Sequence, residues 1–225
     1  MKKYFFNYSI VLQNFSLLFL LISFACCSQT DSKVCVCAKN EYITTKKTDT
    51  IFSFSNQKKI FVCGFKEMKN KQIVYSEFVI GICGEDTLIG FWGALKNCTI
   101  NKRNDTLWID EIIWLPVGNK FIDTQTVGKR TRIYFNNNLF FSDSIFNPTI
   151  RKYSITEIEE VINEYEKMKS SNGVTAIDIM KKLFVAYISG SDKAKNYFHE
   201  IGQGTINSEL SELYDELNQL LKIRK

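Results

Sequence analysis

The periodicity of this chain changes once, near Ser154, and that change limits the fold more than any other feature. Before residue 142, short runs rich in β-branched and aromatic residues alternate with polar punctuation. The runs are "TIFSFS", "KKIFVCGF", "QIVYSEFVIGICG", "DTLIGFWGAL", "TLWIDEIIWLPV" and "RTRIYFNNNLFF". Composition of this kind favours strands. The breaks fall at Ser55-Asn56-Gln57, Lys69-Asn70-Lys71, Gly84-Glu85-Asp86, Lys102 to Asp105 and Asn136 to Asn138. Runs of 6 to 13 residues set off by such breaks predict antiparallel meanders. The expected class is α+β: an antiparallel β-rich domain over residues 33–150, built as a sandwich, barrel or curled sheet, then a unit of antiparallel helical hairpins over 151–225.

The helical part carries its own start and stop signals. Ser154-Ile155-Thr156-Glu157 fits a capping box, in which serine and glutamate satisfy each other's orphan amides. Ile158, Val161, Ile162, Tyr165 and Met168 then share one face. "IMKKLFVAYISG" is apolar nearly all round and predicts a central helix ending at Gly190. Ser191 caps a third helix with Ala194, Tyr197, Phe198 and Ile201 inward. A fourth, from about Asn207, shows Leu210, Leu213, Tyr214, Leu217, Leu220 and Leu221 at helical spacing.

At the other end, "SLLFLLISFACCSQT" is greasy, then small, then abruptly polar. Its apolar run, Phe15 to Ala25, is too short for the ~20 residues of a membrane span. Lys2 and Lys3, the apolar middle and the small Ala25 instead predict a signal peptide over 1–25, with 26–32 as a linker. Ser23-Phe24-Ala25-Cys26 resembles the lipobox of bacterial lipoproteins. The resemblance implies cleavage after Ala25 and acylation of Cys26 as the new N-terminus, with Cys27 the alternative acceptor. Three acyl chains would hold stably, since each buried methylene contributes ~0.8 kcal/mol. Cys27 follows where the family's inner-membrane proteins carry Asp, so the implied address is the outer membrane of the cell envelope.

Seven cysteines stand in the chain, all in its first half. Setting Cys26 aside leaves Cys27, Cys35, Cys37, Cys63, Cys83 and Cys98, a pattern expected of an oxidising compartment. In "VCVC", Cys35 and Cys37 share a strand face, and Cys63 and Cys83 are their expected partners. Cys98 is a further disulfide candidate. One histidine and no C-x₂-C spacing argue against a structural zinc site, and no cofactor motif is present.

Removing Lys2 and Lys3 with the signal lowers 29 basic residues to 27, against 24 acidic, a net charge of +3 with no basic stripe for nucleic acid. His199, near a helix end, reads as structural. Ser55-x-x-Lys58 falls in a turn and lacks the partner motifs of serine acyl-enzymes. Asp110 and Glu111 are the catalytic candidates, although neighbours in a strand point to opposite faces unless a bulge re-aims one of them. Trp92, Trp108 and Trp114 are the binding candidates, able to stack on a glycan or anchor a protein partner.

These observations point to a lipid-anchored envelope protein with a non-enzymatic binding or structural role. Its partners would be the membrane, through the lipid, and an envelope protein or glycan. One alternative is an envelope glycan hydrolase, for which two carboxylates should converge ~5–9 Å apart. Another is an immunity-type lipoprotein of the periplasm.

Overall fold

The computed structural model describes residues 35–37, 48–69, 71–85, 88–94, 96–170, 176–204 and 208–224. The signal, the linker, Cys26 and Cys27 lie outside them. Eight strands form one antiparallel sheet: β1 (Thr50–Ser53), β2 (Lys59–Lys69), β3 (Gln72–Ile82), β4 (Leu88–Trp92), β5 (Asn97–Arg103), β6 (Thr106–Leu115), β7 (Thr124–Asn136) and β8 (Leu139–Phe146). Four helices follow: α1 (Ile155–Ser170), α2 (Ala176–Ile188), α3 (Asp192–Gln203) and α4 (Ser208–Lys222).

The polar breaks at Lys102 to Asp105 and Asn136 to Asn138 become tight hairpins. At the β7–β8 corner, Asn137 and Asn138 have φ of 49° and 62°, a left-handed conformation that asparagine tolerates. Strand order is β1-β2-β3-β5-β6-β7-β8, with β4 also paired to β3. β4 and β5 divide one edge of β3: Phe78 pairs with Trp92 of β4, and Tyr75 with Cys98 of β5. The sheet is curled rather than split into a sandwich. Its curl brings Phe54, just after β1, edge-on to Phe135 of β7, with ring centroids 5.1 Å apart.

The concave face buries Ile60, Val62, Tyr75, Phe78, Ile80, Cys98, Ile100, Leu107, Ile109 and Ile133 in one cluster. On the convex face, residues 35–37 lie across β2 and β3. Cys35 is bonded to Cys83 and Cys37 to Cys63, over Phe61 and Val79. Cys98 is not part of this framework and stands as a correction: it is a buried free thiol. The cause is strand parity, because Cys98 faces the concave cluster while the bonded cysteines gather on the convex side. Burial, and then the nearby Glu111 carboxylate, push its pKa well above the ordinary thiol value.

The helices pack around α2, whose Ile179, Met180, Leu183, Phe184, Val185, Ala186 and Ile188 are all buried. The capping box forms at α1. Ser154 N–H donates to Glu157 Oε2 (2.8 Å), and Glu157 N–H donates to Ser154 Oγ (3.3 Å). Ala194 N–H likewise donates to Ser191 Oγ (3.2 Å) at α3. Leu115 and Val117, at the end of β6, belong to the helical core. Tyr153 O–H donates to Pro116 O (2.6 Å) and ties the two layers together. Residues 35–225 make one compact unit.

Candidate binding cleft

The core-facing residues of β6 are Leu107, Ile109, Glu111, Ile113 and Leu115. Period two puts all five on one face. The first two enter the concave core of the sheet, while Ile113 and Leu115 enter the helical core. Glu111 sits between them, only 5% exposed, at the seam of the two cores. A carboxylate buried this way requires partners. Trp92 Nε1 donates to its Oε1 (3.2 Å) and Lys96 Nζ to its Oε2 (3.0 Å), and Lys129 Nζ pairs with Oε1.

Each partner arrives by a local device. Lys96 N–H donates to Gly93 O (3.1 Å), a turn between β4 and β5 that presents Lys96 to the seam. Lys129 is aligned with Glu111 across β6 and β7, and the pairing then slips so that Ile112 faces Val127. The extra residue is Gly128. A Cβ there would stand 2.5 Å from Ile113 Cδ1, so the close packing of Ile113 requires glycine. Sequence reading expects a possible bulge on β6 itself; the extra residue is in its neighbour. Burial lowers the Lys96 pKa, but the charge and hydrogen bond of Glu111 outweigh it and the net shift is upward.

Around this triad lies a cleft of about 310 Å³. Its walls are Ile89 to Gly93 of the β4 stretch on one side and Thr131, Ser142 and Ser144 of β7 and β8 on the other, with Lys96, Glu111 and Lys129 between. Trp92 lines it and stacks on Phe78 (centroids 4.9 Å apart, 3° between planes). Thr131, 5% exposed, shares a 3.0 Å hydrogen bond with Ser144 Oγ. A smaller pocket continues beneath Glu111 to Glu216, Gln219 and Leu220 of α4.

Asp110 faces the convex side, so the two carboxylate candidates do not converge. Arg130 donates to Asp110 through Nε (2.5 Å) and an NH2 group (2.8 Å). Arg132 makes the same fork with Asp143. The two guanidiniums stand 5.5 and 5.9 Å from the Trp108 ring. A groove of about 370 Å³ adjoins them, and Asp110 is the one carboxylate among its lining residues. Trp114 is 54% exposed on the convex face. The three tryptophans therefore do not form one platform: Trp92 lines the cleft, and Trp108 and Trp114 are on the convex side. His199 is remote from both, its Nδ1 3.0 Å from Tyr214 Oη. Ser55 lies in the β1–β2 turn and is held by Asp105.

Sequence reading missed Lys96, Lys129, Thr131, Ser142 and Ser144, because only the curl of the sheet gathers them. The signal for Glu111 was available: it occupies an apolar register between Ile109 and Ile113. Among the described residues no helix is long and apolar enough to cross a membrane. No protein-family model, no curated protein and no solved structure matches the chain.

Proposed function

We propose that this chain is a lipid-anchored protein of the bacterial cell envelope and a binding module, in which the cleft at Glu111 receives a ligand without transforming it. The observation that carries the reading is the pair of cystines holding residues 35–37 against β2 and β3. Such crosslinks persist in oxidising compartments and are rare in the reducing cytosol. The lipobox-like segment supports the same address. A binding role is supported by how the cleft's charges are used. Glu111 is engaged by three donors, which holds its oxygens in structural contacts, and among the described residues no histidine or cysteine lines the cleft.

Intact mass of the membrane-extracted protein, with and without reductant, tests this. The expected species begins at Cys26, carries acyl chains, and gains four hydrogens when its two bridges are reduced. A soluble chain that keeps Met1 and has every thiol free would overturn the reading.

A further inference from the structure

We propose that the cleft recognises a small hydroxylated carboxylate, of sugar-acid type. This rests on the cleft being the binding site. Two ammonium groups and one carboxylate line it, a surplus of one positive charge on the cleft side, while Glu216 of α4 acts on Lys96 from the pocket beneath. Glu111 has little accepting capacity left: Oε1 takes Trp92 and Lys129, and Oε2 takes Lys96. Each ammonium has three N–H donors and gives one to Glu111. What the cleft offers a ligand is therefore mainly donors and positive charge, which selects an anionic oxygen acceptor.

Hydroxyls set the second requirement. Ser142 and Ser144 are exposed on the cleft side of β8, with Thr131 beside them. Hydroxyls both donate and accept, so they suit a ligand bearing hydroxyl groups of its own. Trp92 and Ile89 supply apolar surface for the face of a ring. At about 310 Å³ the cleft lies at the small end of ligand sites, which limits the occupant to roughly one sugar unit. Burial of Glu111 keeps both lysines beside the cleft in the absence of ligand, so the anion meets a preorganised pair.

The test is a titration of the full-length protein in detergent with D-glucuronate, D-glucose and acetate, followed through the three tryptophan indole N–H resonances. These are assigned by single Trp→Phe variants. Glucuronate is expected to shift the Trp92 resonance saturably and leave those of Trp108 and Trp114 unmoved. Glucose, which lacks the carboxylate, and acetate, which lacks the hydroxyls, are each expected to bind at least tenfold more weakly. Lys129→Gln is expected to weaken glucuronate binding roughly tenfold or more, the usual scale for loss of a charged hydrogen bond. Lys129→Arg, which keeps the charge, is expected to retain most of the affinity and to show that Lys129→Gln did not act by unfolding. Glucose binding as tightly as glucuronate would overturn the ligand class and leave the binding role intact. Acetate binding as tightly would remove the sugar requirement and overturn it too. Shifts confined to Trp108 or Trp114, or no shift with glucuronate, would also overturn the inference, whereas the envelope address stands or falls on the mass measurement alone.

Discussion

Replacing Cys37 and Cys63 together by alanine tests how far the convex-face bridges hold the domain. The bridge spans 26 positions of sequence, and the outer bridge, Cys35–Cys83, spans 48. Loop-closure entropy alone assigns about 3.5 kcal/mol to a loop of the first length and about 4 kcal/mol to the second. The two are not additive, because the inner loop lies wholly within the outer one. With the inner bridge closed, the outer loop is effectively about half as long and contributes about 3.4 kcal/mol. Together they contribute about 7 kcal/mol, within the 5–15 kcal/mol that is the whole stability of a typical domain. Loss of either bridge is therefore expected to cost about 3 kcal/mol, and loss of both to leave the protein marginally folded. At 2–4 °C per kcal/mol for a domain of this size, a single loss should lower Tm by roughly 6–12 °C. Urea denaturation of wild type, each double-alanine variant and the quadruple variant measures these values. A loss below about 1 kcal/mol from either bridge would refute the loop-entropy reasoning.

Three further outcomes are expected. Gly202→Ala in α3 would place a Cβ 2.0 Å from the Tyr214 ring, so it should destabilise the α3–α4 contact by about 1–3 kcal/mol, measured by urea denaturation. Cys98 should resist thiol reagents in the native protein and react on unfolding, with Cys98→Ala identifying its share of the label. Burial, then the charge of Glu200, raises the Tyr165 pKa to about 12, and burial, then Glu157, raises that of Tyr153 further. Both therefore favour the folded state while neutral, and that stability is present below the unfolded tyrosine pKa of about 10 and is lost as pH rises above it. Melting temperature should fall above about pH 10, and less steeply in Tyr153→Phe, as followed by circular dichroism.

Alternation and helical spacing carried most of the fold. Seven of the strands follow from apolar runs, and the four helices from caps at Ser154 and Ser191 and from their apolar faces. β5, "NCTINKR", was not legible as a strand because most of its residues are polar. Its extended form comes from pairing with β6, a tertiary effect that local composition does not record. Asp110 and Glu111 were read correctly as facing apart, and alternation along β6 already puts Glu111 on the apolar face. Only the pairing shows which cations they meet, Lys129 for Glu111 and Arg130 for Asp110. Cys98 misled because cysteine count carries no information about which face a strand turns to a neighbour. The cleft itself was invisible, since Lys96, Lys129 and Ser144 are joined only by the curvature of the sheet.

β6 is a wall of two hydrophobic interiors at once. The helical layer is consequently not a detachable module: a lineage that lost or exchanged α1–α4 would leave Ile113, Leu115 and Val117 facing water and Glu111 without its lower cover. Any descendant built on this sheet alone would have to rewrite the second half of that one strand first.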